Sequence, residues 1–219
     1  MKTLQKNLDL VRERIRTACQ RRNRDPAGVR LVAVTKERSV EEAQALAALG
    51  VKDFGENRLE GLEEKKGKVP GAVWHFIGNL QSNKAKRVAE LADYAHSIES
   101  LKVAERVSGR CMELGKKLPV FLEVNVAGEA SKHGVPKEEL PVLLNGARML
   151  PGIKVIGLMT MAPLVEPEKT RSPFHMLAEF ARHNGLPELS MGMSNDFEIA
   201  VEEGATLLRL GTAIFGARS

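Results

Sequence analysis

Hydrophobic and polar positions alternate in blocks along this chain. Short runs rich in branched apolar residues recur, and each is followed by a segment whose apolar residues return every three to four positions. The first run is Val29–Thr35, with a helical segment over Val40–Leu49. The second, Asp53–Gly55, is brief and closed by glycine, and a charged helix follows Asn57. Val73–Ile77 leads into Lys84–Leu91, Tyr94–Ile98 into Leu101–Leu114, and Val120–Val126 into Lys137–Met149. Lys154–Met159 leads into Ser172–His183, Glu188–Met191 into Ser194–Glu203, and Thr206–Leu210 into Ala213–Ser219. Eight strand–helix units in series predict a parallel sheet with helices packed outside it.

Two architectures satisfy that pattern. An open doubly wound sheet usually carries a glycine-rich phosphate loop after its first strand. Here that strand runs into Thr35, Lys36, Glu37, Arg38 and Ser39, with no glycine. A closed barrel fits better. Setting aside the first 28 residues leaves about 190, a minimal (β/α)8 barrel with no room for a second domain. The expected fold is therefore α/β, a single (β/α)8 TIM barrel over residues 1–219, with an extra N-terminal helix within residues 1–28 packed on it.

That first segment needs its own reading. Leu4, Leu8, Val11 and Ile15 recur at helical spacing, with Arg12, Arg14 and Arg16 among them. Asp9 and Glu13 break the acid-free pattern of a transit peptide, and no apolar signal core is present. An amphipathic helix of a cytoplasmic protein is the expectation. Apolar stretches such as Ala45–Val51 fall far short of the roughly 18 residues that span a bilayer.

Composition narrows the partners. Hydrophobic residues make up 43% of the 219, ordinary for a globular protein. Lys plus Arg is 33 against 28 Asp plus Glu, a net charge of +5 with both signs interspersed. With only seven Phe, one Trp and one Tyr, the chain lacks a base-stacking platform, so no nucleic-acid partner is expected. Cys19 and Cys111 read as small buried hydrophobes in a reducing compartment, and no Cys/His spacing suits a metal.

In a barrel, chemistry collects where strands end. Lys36 closes the first strand. An apolar run delivers it to the barrel mouth, where partial desolvation would lower its pKa and free a neutral amine. Gly55, Glu56 and Asn57 close the second strand, and Gly78 and Asn79 follow the third. Gly192 permits close backbone approach, and Ser194 is expected at a helix N-terminus, which favours an anion. Gly211 and Thr212 follow the eighth strand, and the loops after strands seven and eight are where barrels hold phosphate. Arg209 lies just before them. Lys132, in the loop after the fifth strand, reads as a solvated charge and is the second candidate amine.

The segments A-V-T-K (33–36), F-G-E-N (54–57), H-F-I-G-N-L-Q-S-N-K (75–84), G-L-M-T-M-A-P (157–163), L-S-M-G-M-S (189–194) and R-L-G-T-A-I-F-G-A-R (209–218) occur in order. Together they resemble the pyridoxal 5′-phosphate homeostasis protein family, which is similar in fold to the N-terminal barrel of bacterial alanine racemase. The resemblance implies that Lys36 carries pyridoxal 5′-phosphate (PLP) as a Schiff base. It implies that Ser194, Gly211 and Thr212 hold the phosphate, that Arg209 faces the pyridine nitrogen, and that Asn57 lines the pocket near the ring. Asn79, Asn195 and the pair Arg58–Leu59 depart from the usual forms and affect the shape of the mouth.

An arginine cannot accept the ring proton, so the ring stays a poor electron sink. Racemisation also needs a second acid/base group, which similar racemases take from another domain of a partner subunit. The chain has no such domain, and Tyr94 enters its strand instead of ending it. The expected function is a monomeric PLP-binding protein of intracellular vitamin B6 homeostasis. It would hold and deliver the cofactor, with apo PLP-dependent enzymes as recipients, and would not be an enzyme. The alternative is a PLP-dependent amino-acid enzyme such as a racemase, with His75 or another lysine as acid/base.

Overall fold

A computed structural model describes residues 2–128, 133–163 and 165–216. Nine strands follow in chain order: β1 Arg30–Val34, β2 Asp53–Glu56, β3 Val73–Phe76, β4 Tyr94–Ile98, β5 Leu118–Asn125, β6 Val135–Pro136, β7 Ile153–Met159, β8 Glu188–Ser190 and β9 Leu207–Leu210. All pairings among them are parallel. The order β4-β3-β2-β1-β9-β8-β7-β5 closes through a β4–β5 pairing, which makes an eight-stranded barrel. Two-residue β6 lies outside the ring, beside Val124 and Asn125 of β5. It was not visible in the sequence, because two residues carry no period.

The helices are α1 Lys2–Arg21, α2 Val40–Ala48, α3 Leu59–Lys65, α4 Ala85–Leu91, α5 Leu101–Glu113, α6 Leu140–Arg148, α7 Arg171–His183, α8 Phe197–Glu202 and α9 Thr212–Phe215. Leu8, Val11 and Ile15 of α1 are buried, as their spacing predicts. This helix packs on α8 and α9 through Asn7 Nδ2, which donates to Ile214 O at 2.9 Å, and the Arg14–Glu198 ion pair. Arg24, just beyond it, donates to the carbonyls of Val201 and Ala205 at the C-terminal end of α8, where helix carbonyls lack partners.

Strand alternation sorts the side chains into two environments. One phase faces the helices: Ala33, Phe54, Trp74, Phe76, Leu122, Leu189, Leu208 and Leu210 join the large apolar shell. The other phase faces the barrel axis. Its apolar part is small, namely Val32, Phe121, Met159 and Leu207. By register, Asp53, His75, His96, Glu123, Ser190 and Arg209 share that phase. The barrel interior is therefore strongly polar, although the strands read as apolar runs.

Two expectations at the C-terminal end need correction. The helix after β8 begins at Phe197, not at Ser194. Residues 194–196 form a turn, in which Met193 N donates to Asp196 Oδ1 at 2.6 Å and Asp196 N donates to Met193 O at 3.1 Å. Gly192 serves the fold. It takes a φ of +92°, and a Cβ there would lie 2.6 Å from the Ala200 Cβ.

Candidate functional site

Chain geometry brings all six candidate residues to one place. Lys36, Asn57, Ser194, Arg209, Gly211 and Thr212 line a cavity of about 460 Å³ at the C-terminal ends of the strands. Ile77, Met161, Pro163, Val165 and Met193 supply apolar walls. The volume suits a small organic ligand, since such sites run from roughly 300 to 1,000 Å³. A separate depression of about 410 Å³ lies between α1 and the start of β2, and none of the six residues lines it.

Lys36 sits in a turn closed by Arg38 N donating to Thr35 O at 2.9 Å. The next residue, Glu37, takes a φ of +60°, a left-handed conformation uncommon outside glycine. Lys36 itself is exposed, so the expected desolvation of its amine by the protein is not found. Asn57 is half-buried at the end of β2. Gly78 lies against it, and a Cβ at Gly78 would fall 2.0 Å from Asn57 O, so only glycine lets the two loops meet.

A buried ion pair that sequence reasoning missed underlies these two loops. Glu56 Oε1 accepts from Lys65 Nζ at 2.8 Å and from Thr35 Oγ1 at 2.7 Å. Glu56 and Thr35 immediately precede Asn57 and Lys36, so one carboxylate fixes both approaches to the cavity. Gly61, inside α3, makes room for it: a Cβ there would meet Glu56 Oε2 at 2.6 Å. A clue was present, because a lysine six residues into a helix that follows a strand-end glutamate can fold back over it.

The opposite wall joins two loops. Ser194 does not cap the helix after it. Its Oγ accepts from Ala213 N at 3.0 Å, in the first turn of α9. That bond ties the loop after β8 to the Gly211–Thr212 turn. Among the described residues, the backbone N–H groups of Ser194, Asn195, Gly211 and Thr212 find no acceptor in the chain. Paired loops with free N–H donors are a cradle for an anion.

Arg209 forms the floor and is only 4% exposed. Its Nη1 donates to Ser190 Oγ at 2.6 Å and its Nη2 to Thr160 O at 2.8 Å. Among the described residues, no carboxylate lies within ion-pair distance, and the remaining N–H groups of its five have no acceptor. Burial pushes its pKa down to about 10, with Glu123 and Asp196 opposing the shift from a distance. It is thus a buried cation with donors to spare, which fits an acceptor atom of a ligand and needs no proton from it.

Other candidates fall elsewhere. His75 is fully buried behind Arg209, bonded to His96 and Asp53, and does not line the cavity. Tyr94 stacks on His75 at the N-terminal end of the barrel. Asn79 lines the rim, where its side chain bonds His133 at 2.7 Å. Lys132 lies outside the described residues. Among the described residues, no cluster of His, Cys, Asp and Glu suits a metal, and no helix is long and apolar enough to cross a membrane.

This barrel is of the alanine racemase N-terminal domain class, whose family model matches residues 6–219. An alanine racemase of Clostridium difficile 630 shares the fold with a TM-score of 0.77 at 16% identity, over 100% of this chain and 56% of that one. The chain belongs to the pyridoxal phosphate homeostasis protein family. A Pseudomonas aeruginosa protein of that name is 42% identical over 100% of this chain and 97% of its own length. The Escherichia coli K12 protein of that name is 36% identical over 100% and 98%. PipY of Synechococcus elongatus PCC7942, solved with PLP bound, is 34% identical with a TM-score of 0.81, over 94% of this chain and 100% of that one.

Proposed function

We propose that this chain binds PLP in the barrel-mouth cavity and serves vitamin B6 homeostasis by holding the cofactor and passing it on. The observation that carries this reading is Arg209, a buried guanidinium without a carboxylate partner among the described residues, in the same cavity as a strand-end lysine and a double loop whose N–H donors find no acceptor among those residues. When bound, PLP supplies an aldehyde that amines attack and a pyridine ring that withdraws electrons. Lys36 would hold the cofactor through its amine at the aldehyde carbon, the carbonyl oxygen leaving as water. Ser194, Gly211 and Thr212 receive the phosphate. Arg209 would donate to the pyridine nitrogen and, as a permanent cation that only donates, would leave that nitrogen unprotonated. Asn57 borders the ring. The family name, the relatives of that name and the PLP-bound PipY support the cofactor.

Holding, not transforming, is the role that Arg209 favours. A ring without a pyridinium proton stabilises a carbanion poorly, and besides Lys36 and the Arg209 guanidinium the titratable group among the described lining residues is Asp196, which is buried and engaged as the acceptor for Met193 N at 2.6 Å. Apo PLP-dependent enzymes are the natural recipients. The cytoplasm is the compartment we assign, in keeping with the free, buried Cys19 and Cys111.

Titrating PLP into the purified protein tests this. A visible absorption band, removed by borohydride, should saturate with the wild-type chain and be absent in Lys36→Ala, with an unchanged far-ultraviolet circular dichroism spectrum. A full-strength band in Lys36→Ala would move the anchor to another lysine.

A further inference from the structure

Behind Arg209, polar side chains run in a line through the barrel interior. Ser190 Oγ, which accepts from Arg209 Nη1, lies 2.7 Å from His96 Nδ1. His96 Nε2 lies 2.9 Å from His75 Nδ1, and His75 Nε2 lies 2.9 Å from Asp53 Oδ1. The line starts at the cavity and ends at Asp53, at the start of β2 on the opposite end of the barrel. Both imidazoles are fully buried and clamped. Tyr94 stacks on His75 with centroids 4.5 Å apart, and Phe121 lies 4.4 Å from His96.

Donor and acceptor rules leave one arrangement. Arginine only donates, so Ser190 Oγ accepts from it, and the serine proton must go to His96 Nδ1. That nitrogen is then bare, and His96 carries its proton on Nε2 and donates to His75 Nδ1. His75 in turn carries its proton on Nε2 and donates to the Asp53 carboxylate. The reverse order fails at both ends: His75 would turn a bare nitrogen to a carboxylate, and Ser190 would be left without an acceptor for its proton. Every bond therefore points from the cation at the cavity to the anion at the closed end, and bonds aligned this way reinforce one another.

We propose that Asp53, His75, His96 and Ser190 are positioning residues for Arg209, a one-directional hydrogen-bond chain that sets how the guanidinium meets the ligand in the cavity. The proposal rests on the PLP reading only for the identity of that ligand. Groups around the chain keep it neutral in the middle. Burial holds both histidines below the usual imidazole range, with His75, Arg209 and Arg30 adding to the effect on His96, while at His75 Asp53 and Asp93 oppose it and Arg30 adds to it. Glu123 on β5, Tyr94 on β4, Glu188 on β8 and Arg30 on β1 also lie on the inner phase, with Arg30 3.9 Å from Asp53 and 3.8 Å from Glu188. Protonating His75 at Nδ1 would turn two donors face to face and force the His96 proton onto Nδ1, against Ser190. Acid therefore reverses the chain and disturbs Arg209 from the far end.

Nitrogen-15 spectra of the ligand-free protein test this, with His75→Gln and His96→Gln used for assignment. Both histidines should be fixed Nε2–H tautomers at neutral pH. In His75→Leu, His96 loses its acceptor and should become a tautomeric mixture, and half-saturation by PLP should need about tenfold more cofactor, roughly 1.4 kcal/mol. His75→Gln, which retains a donor and an acceptor, should recover most of that affinity. Ser190→Ala, a change of one oxygen atom, reports from the other end should His75→Leu fail to fold, and should release the His96 tautomer in the same way. An Nδ1–H or charged histidine in the wild type at neutral pH would overturn the proposal. So would wild-type PLP affinity with an unchanged His96 tautomer in either variant. Fixed tautomers in a protein that binds no PLP would refute the cofactor reading and leave the chain standing.

Discussion

Replacing Lys65 by Met asks what the buried ion pair beneath the cavity contributes. Met has similar length and no charge, so the change removes one partner and little volume. Glu56 would keep a single hydrogen bond, from Thr35 Oγ1 at 2.7 Å, and would stay buried with a side chain 2% exposed. Breaking one side of a buried pair costs about 3–5 kcal/mol, because a charge remains without compensation. At about 2–4 °C per kcal/mol for a chain of this size, Tm should fall by about 6–20 °C. Thermal scans at pH 8 measure this directly. The loss should shrink at pH 5, where protonation can neutralise the abandoned carboxyl. The double variant Lys65→Met/Glu56→Gln should recover at least half of the loss, since the amide oxygen still accepts from Thr35 and no charge is stranded. A loss below about 1 kcal/mol, or a double variant as unstable as the single one, would refute the reasoning.

Further expectations concern groups in and behind the same cavity. Burial, aided by Glu99, pushes the Glu123 carboxyl up to about 7, against the ordinary carboxylate value it regains on unfolding. The folded state thus holds an extra proton between roughly pH 4.5 and 7, and stability falls as pH rises through that window. Glu123→Gln should therefore stabilise the protein by up to about 3 kcal/mol at pH 8 and by nothing at pH 4, and equal effects at both would contradict it. Ser194→Ala removes the acceptor for Ala213 N, so PLP affinity should drop by about 1.5–3 kcal/mol and stability by about 1 kcal/mol. Pyridoxal without phosphate should bind much more weakly than PLP, and equal binding of the two would end the cradle argument. Arg209→Glu should weaken PLP binding and raise slow transamination with added amino acids, because a carboxylate lets the ring nitrogen take a proton. Unchanged affinity and spectrum would take Arg209 out of the site.

Much of the fold is written in the chain as periodicity. Tyr94–Ile98 matches its strand residue for residue, and the other strand boundaries coincide with expectation or shift by one or two residues. The six candidate residues share one cavity because strand ends in a barrel share one face, a rule that needs no side-chain detail. What escaped was anything set by contacts between distant strands. His96 and Ser190 look like ordinary strand positions, and only closure of the barrel brings β4 opposite β8. Glu56 and Lys65 are nine positions apart on different elements, and only their order along the strand and the helix that follows it hints at their pairing. Ser194 looks like the N-terminus of its own helix because serine is common at helix starts. The turn at Asp196 displaced that role onto α9.

Lys36 is the residue on which the account depends most directly. Purified protein loaded with PLP, reduced with borohydride, digested and analysed by mass spectrometry should carry the reduced cofactor on the peptide containing Lys36, in near-stoichiometric amount. Lys36→Ala treated the same way should show no more label than the background on exposed lysines. Stoichiometric label on another lysine, Lys132 included, or none on Lys36, would contradict the account.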